Sequence, residues 1–254
     1  MTSTIGDISH IDHIRLISPI DPQVPSHLPS PGRSRGWAFW AVPLLLLLIV
    51  GLGFASCSSD TEEYDQYHDW AERNAAWYVE IADSARSAIA EAQAAYGDQW
   101  EQHCQWRMIK SLYQSPTYQS GLLGDSICVR ILQSGTGELK PTLSDTVRIH
   151  FRGFLMPTQK SDGTTEELVF SQTYYGSFDA RTAIPQKAAV SAFAKGFATA
   201  LQHMVEGDDW MVYIPQELFY GSNKTGVIPS YSTARFRLQM VGIYPVGTTA
   251  PEWY

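Results

Sequence analysis

The residues most able to do chemistry stand close together toward the C-terminal end of the chain. They are Gly196-Phe197, then Leu201-Gln202-His203-Met204, then Ile214-Pro215-Gln216-Glu217-Leu218-Phe219-Tyr220-Gly221, and finally Val227-Ile228-Pro229. No nucleophilic triad or carboxylate dyad accompanies them, and His103-Cys104 has no second pair at metal-ligand spacing. Aromatic and branched side chains in this number can build an apolar cup, and a few fixed donors would orient whatever enters it. Such a cup favours a reaction whose transition state is less polar than its ground state.

The elements that must position these residues follow from periodicity. From Ser126 onward the apolar residues alternate. Ile127, Val129 and Ile131 form one strand, Val147, Ile149 and Phe151 a second, Trp210, Val212 and Ile214 a third, and Phe236, Leu238 and Met240 the last. Ser134-Gly135-Thr136-Gly137 reads as a turn. Between the strands, Phe193, Phe197 and Leu201 are spaced by four, which predicts a helix within Val190 to Met204. One short helix against several antiparallel strands is an α+β domain.

Taken with that layout, the motifs between Gly196 and Pro229 resemble the second half of the proline-isomerase domain of the FKBP family. The resemblance implies a twisted antiparallel sheet wrapped around one short helix, over residues 126–244, and peptidyl-prolyl cis-trans isomerase activity without a cofactor or metal. It places Phe197 as the floor of the cup, where most members have tryptophan, with Phe170, Phe236 and Ile228 as walls. Phe193 and Ala194 fall where many members have Val-Ile, and the Ala194 N–H would donate to a substrate carbonyl. Tyr220 matches the tyrosine whose hydroxyl makes the second such bond.

Two departures from the family pattern fall together. The usual Phe-Asp pair reads Phe170-Ser171, and Phe151 stands at the tyrosine that commonly bonds that aspartate. Loss of both partners leaves no orphaned polar group. Reduced catalysis and weakened affinity for tacrolimus-type ligands are the expected result. A Ser171→Asp change alone is expected to desolvate a carboxylate against Phe151. A non-catalytic chaperone or binding module for proline-containing polypeptides is the alternative reading. Asp179 is read as a loop residue.

Upstream, Trp70, Trp77, Ile81, Ala85 and Ile89 predict one long amphipathic helix ending at Gly97. Trp100, Trp106, Ile109 and Leu112 suggest a second, short one. This helical region, 64–121, is expected to pack on the domain that follows or to mediate dimerisation, and a chain starting near Leu122 is expected to fold alone. Cys104 and Cys128 could pair, but sequence does not show that they meet.

The N-terminal part carries an address. Trp37 to Phe54 is free of charge and follows Arg33 and Arg35; its about 18 residues suit a bilayer span or a secretory signal. Phe54-Ala55-Ser56-Cys57 resembles the lipobox of bacterial lipoproteins, which implies a leader and signal peptide over 1–56 and a mature chain anchored to a membrane by lipid on Cys57. An uncleaved anchor and a cleaved, soluble form are the other readings. The acidic tether at 57–63 reads as a solvated linker and also resembles the export signal of Bacteroidetes surface lipoproteins, favouring an outer-membrane or cell-envelope location. The net charge of -8 argues against a nucleic-acid partner.

Overall fold

A computed structural model of the chain describes residues 65–113 and 122–253; the apolar run at 37–54, Cys57 and the acidic tether lie outside the described residues. The first long element is α1, Trp70–Tyr96. Its buried residues, Trp70, Asn74, Tyr78, Ala82 and Ala85, recur every three or four positions, as a helix with one covered face requires. The buried stripe is displaced from the predicted one: Trp77, Ile81 and Ile89 flank it half-buried. Ala82 and Ala85 let the helix axis come close to the sheet, and the larger side chains pack around that approach. Gly97 ends the helix as expected, at φ 53° with its N–H on the Gln93 carbonyl.

A single turn, α2 (Trp100–His103), leads into β1 (Trp106–Lys110). The expected second helix is therefore replaced, over its second half, by a strand. Trp106 and Met108 pack beneath α1, while Ile109 faces the main core, which is the alternation of a strand covered on both faces. Leu112, assigned to the helix by spacing, is exposed.

The remaining strands are β2 (Ser126–Gln133), β3 (Thr146–Leu155), β4 (Thr158–Gln159), β5 (Thr165–Glu166), β6 (Val169–Gln172), β7 (Gln186–Ala189), β8 (Asp209–Ile214) and β9 (Ala234–Tyr244). The main sheet runs β1-β2-β8-β9-β3-β6, with β7 on the other half of β3 and β4-β5 a separate pair. Its pairs are antiparallel. Every predicted strand is present.

The one helix on the inner face is α3, Lys195–Leu201. It is shorter than the predicted pattern, because Val190–Ala192 forms a separate 3-10 turn and Phe193 is extended at φ -95°, ψ 162°. Phe197 and Leu201 of α3 meet Ile127, Val129, Ile149, Val212 and Leu238 in the main core. This is the α+β layout that the family resemblance implies. Among the described residues no helix is long and apolar enough to cross a membrane.

The outer face of the sheet is covered by α1. Tyr78 reaches through to donate to the Ser126 carbonyl at 2.5 Å, and the Cys128 thiol points at the same hydroxyl at 3.6 Å. Burial pushes the Tyr78 hydroxyl well above its ordinary pKa and raises that of the Cys128 thiol, so both stay protonated. Cys104 and Cys128 are buried free thiols, not a disulfide.

This packing weighs against the expectation that the helical region is dispensable. A large apolar side chain contributes about 1.5–3 kcal/mol when fully buried. Removal of the buried Trp70 and Tyr78, with smaller contributions from the half-buried Trp106 and Met108, is therefore a sizeable share of the about 5–15 kcal/mol that holds a domain folded. A chain starting at Leu122 is expected to aggregate or to lose cooperative thermal unfolding, whereas one starting at Asp65 keeps it. Equal melting temperatures for the two would contradict this.

Candidate active site

The cup is assembled from five pieces of chain. Its floor, Phe197, stands in the first turn of α3 and is 3% exposed. Gly196 permits that position, since a Cβ there would lie 2.3 Å from the Ile214 Cγ2, and any side chain would push α3 off β8. The extended backbone at Phe193 then folds its ring onto Phe197, stacked at 4.6 Å and 14°.

The walls come from the sheet. Phe151 on β3 and Phe236 on β9 meet Phe197 edge-to-face at 5.7 and 4.9 Å, with Phe170 of β6 against Phe236 at 5.3 Å. Edge-to-face pairs place a positive ring edge on a negative ring face, which holds each ring at a fixed tilt. The arrangement needs Gly153. A Cβ at that position would lie 2.6 Å from a Phe236 ring carbon and 2.8 Å from one of Phe170.

The rim is carried by loops. Pro215 begins a turn in which the N–H groups of Phe219 and Gly221 both bond the Gln216 carbonyl, at 3.2 and 2.9 Å. That turn presents Tyr220, 37% exposed, at the mouth. Ile228 closes the opposite side, in a reciprocal pair of backbone bonds with Thr225 at 2.9 and 3.0 Å. The enclosed volume is about 380 Å³. All nine residues predicted for the site, Phe151, Phe170, Ser171, Phe193, Ala194, Phe197, Tyr220, Ile228 and Phe236, line this one cavity. A larger cleft of about 860 Å³ runs along β1, beside Arg107, Lys110 and His203, and none of the nine reaches it.

Polar groups in the cup are few. Among the described residues nothing accepts a hydrogen bond from the Ala194 N–H, which precedes the first turn of α3, and the Tyr220 hydroxyl has no partner. Both donors are thus free for a ligand. Tyr220 is the one titratable side chain of the lining.

Two further features depart from the sequence reading. Ser171 faces Gly153 across the β3-β6 pair and is exposed, so an aspartate there would keep its water, and the expected desolvation penalty is absent. Phe219, not predicted for the site, packs on Phe170 at 5.9 Å, on Phe236 at 6.0 Å and on Tyr220 at 4.2 Å. Its signal was its place in the Leu218-Phe219-Tyr220-Gly221 run, where the tyrosine drew the functional assignment. Asp179 lies outside the cup and pairs with Arg181 at 2.9 Å, which holds its carboxyl below the usual range.

Residues 137–241 match the family model of the FKBP-type peptidyl-prolyl cis-trans isomerase domain. Among characterised proteins, the chain is 32% identical over 121 residues to the macrophage infectivity potentiator of Trypanosoma cruzi, covering 46% of this chain and 54% of that one. It is 30% identical over 166 residues to the FKBP-type 22 kDa peptidyl-prolyl cis-trans isomerase of Escherichia coli, covering 65% of this chain and 68% of that protein. It is 31% identical over 123 residues to the outer membrane protein MIP of Legionella longbeachae, covering 48% and 46%. The chain thus spans about half the length of two of these relatives and about two thirds of the third.

The contacts at residue 153 yield a direct test. Gly153→Ala is expected to displace both Phe170 and Phe236 and to cost about 1–3 kcal/mol, as overpacking of a filled site does. Denaturant unfolding measures this, and an unchanged midpoint would show that the two rings move aside freely.

Proposed function

This chain belongs to the FKBP-type peptidyl-prolyl cis-trans isomerase family, and we propose that the cup around Phe197 turns X-Pro bonds of exported polypeptides between cis and trans. The observation that carries the reading is the closure of aromatic rings around Phe197, with two free donors at the mouth and no acid or base in the lining except Tyr220.

Amide resonance sets a rotation barrier of about 18–20 kcal/mol. For X-Pro the two end states differ by only about 0.5–1 kcal/mol. The equilibrium therefore needs no driving, and the barrier alone must fall. Midway through the rotation the nitrogen lone pair leaves conjugation, so the carbonyl loses polarity and the amide resembles its apolar surroundings more than the planar form does. Phe197, Phe236, Phe170 and Ile228 hold the pyrrolidine ring, the Ala194 N–H and Tyr220 hydroxyl fix the flanking peptide, and the X-Pro carbonyl swings within the cup. This is differential binding of the transition state without covalent chemistry.

Phe151 and Ser171 favour a second reading. With the polar pair of the family absent, the cup could hold proline-containing segments as a chaperone or adaptor without turning them over. Tacrolimus-type ligands would fit the same cup with weakened affinity. A protease-coupled or NMR exchange assay on an Ala-Leu-Pro-Phe peptide separates the readings. Phe197→Ala is expected to abolish catalysis by removing the floor. Tyr220→Phe removes one hydrogen bond, worth about 0.5–1.5 kcal/mol, and should slow the reaction a few-fold. An unchanged rate in Phe197→Ala would exclude this cup as the active site.

The address is proposed from sequence. Phe54-Ala55-Ser56-Cys57 supports a lipid anchor on Cys57, the acidic tether supports export to the cell envelope as in Bacteroidetes lipoproteins, and the Legionella relative is by name an outer membrane protein. Cys57→Ala is expected to leave a longer precursor that incorporates no labelled fatty acid. Equal labelling of the two proteins would refute the anchor.

A further inference from the structure

The wall of the cup at Ile228 belongs to a loop, Gly221 to Tyr231, that is closed at its base by the Tyr231 N–H on the Gly221 carbonyl at 2.7 Å. The tip is lightly held, with Val227 60% exposed and Gly226 at φ 57°. Tyr231 itself has φ 61°, a left-handed conformation that a residue with a bulky side chain keeps only where its surroundings impose it. The two residues that follow it supply the imposing contacts. Ser232 and Thr233 are 3% and 1% exposed, and both are bonded to α1.

The bonds interlock. The Trp70 Nε1–H donates to the Ser232 Oγ at 2.9 Å, and that hydroxyl donates onward to the Pro229 carbonyl at 2.7 Å, inside the loop. The Thr233 N–H donates to the Asn74 Oδ1 at 2.9 Å, and the Thr233 hydroxyl to the Asn74 carbonyl at 3.3 Å. Asn74, fully buried, spends its own Nδ2 on the Trp70 backbone carbonyl at 2.8 Å, which fixes the Asn74 side chain against the first turn of α1 with its Oδ1 toward Thr233. The Trp70 ring also packs with Leu155, Met156 and Ile228 in one buried cluster, against which Phe170 and Phe219 rest.

We propose that Trp70 and Asn74 are positioning residues of the cup: the start of α1 fixes the stem of the loop and the back of Ile228, so that the wall stands at a set distance from Phe170 and Phe219. The inference rests on the reading of the cup as the X-Pro site. An asparagine in an otherwise apolar buried stripe is accounted for by this role, since its Oδ1 accepts from the Thr233 N–H of the loop stem while its Nδ2 is held by the α1 backbone. A purely structural seat for α1 is already provided by Tyr78 and its bond to Ser126.

The test compares Asn74→Ala, Trp70→Phe and Ser232→Thr with the wild-type chain. A wall that touches substrate in both ground and transition states contributes uniform binding, so its displacement raises KM and leaves kcat nearly unchanged. Asn74→Ala and Trp70→Phe should each raise KM by about five-fold or more with kcat within about two-fold. Ser232→Thr, which keeps the hydroxyl, should retain the wild-type KM. A merely structural role lowers the folded fraction, which reduces apparent kcat and does not move KM. Amide hydrogen exchange at Thr225 and Ile228 is read on the same proteins and should accelerate at least ten-fold in the first two variants.

Unchanged KM together with unchanged exchange in both variants overturns the proposal. If Asn74→Ala does not fold, Trp70→Phe, which keeps an aromatic ring in place, decides alone. A wild-type chain without isomerase activity refutes the proposed function instead, and the positioning claim is then judged on exchange: acceleration at Ile228 sustains it and wild-type protection overturns it.

Discussion

The close approach of α3 to β8 at Gly196, where a Cβ would fall 2.3 Å from Ile214, sets where the Phe197 ring stands, and the rings around it take their positions from that one. Phe193 stacks on it, Phe151 and Phe236 meet it edge-on, and Phe170 and Phe219 are placed in turn by Phe236. Each aromatic pair adds about 0.5–1.5 kcal/mol beyond its buried area. Gly153 performs the same service on the other side, as the gap into which Phe170 and Phe236 fit. Two absent side chains thus define a cavity whose lining is otherwise almost entirely side chain.

The sheet between these layers is used on both faces, and this explains how a helix outside the matched family domain bears on the site. The inner face holds α3 and the cup. The outer face holds α1, whose Tyr78 bonds the start of β2 and whose Trp70 and Asn74 bond the segment leading into β9. Because β9 carries Phe236 and pairs with β3, which carries Phe151, a contact just ahead of its first residue bears on both rings. A wall held in place keeps the cup complementary to the pyrrolidine ring in ground and transition states alike, so its contribution is to binding.

Much of this was legible in the sequence, for reasons that vary by element. Strands buried on one face show period two, so the four predicted strands are present, and the motifs from Gly196 to Pro229 named residues that line a single cavity. The failures have physical causes. Trp106, Ile109 and Leu112 are spaced by three, which imitates a helix, while the strand's true alternation of Trp106 and Met108 against Ile109 becomes visible only once α1 and the core claim opposite faces. On α1, Trp77 and Ile81 outrank Asn74 and Ala82 in hydrophobicity, yet they lie at the edges of the buried stripe, where Trp77 meets Tyr213 and Ile81 packs beside the Tyr78 cluster. Asn74 could not be recognised from sequence, since its partner, Thr233, is 159 residues away. The expected desolvation at position 171 rests on the family pairing with position 151, and it is absent because Ser171 is exposed on β6.

The central claim is that an aromatic cup lowers the X-Pro barrier without the polar pair displaced by Phe151 and Ser171. The most direct measurement is the isomerisation rate of an Ala-Leu-Pro-Phe peptide by exchange NMR, with wild type compared against the double variant Phe151→Tyr with Ser171→Asp. The account predicts a wild-type rate well above the uncatalysed one and a further gain of no more than about ten-fold in the double variant, equivalent to about 1.4 kcal/mol of barrier. A wild-type rate equal to the uncatalysed one, with activity appearing only in the double variant, would contradict it.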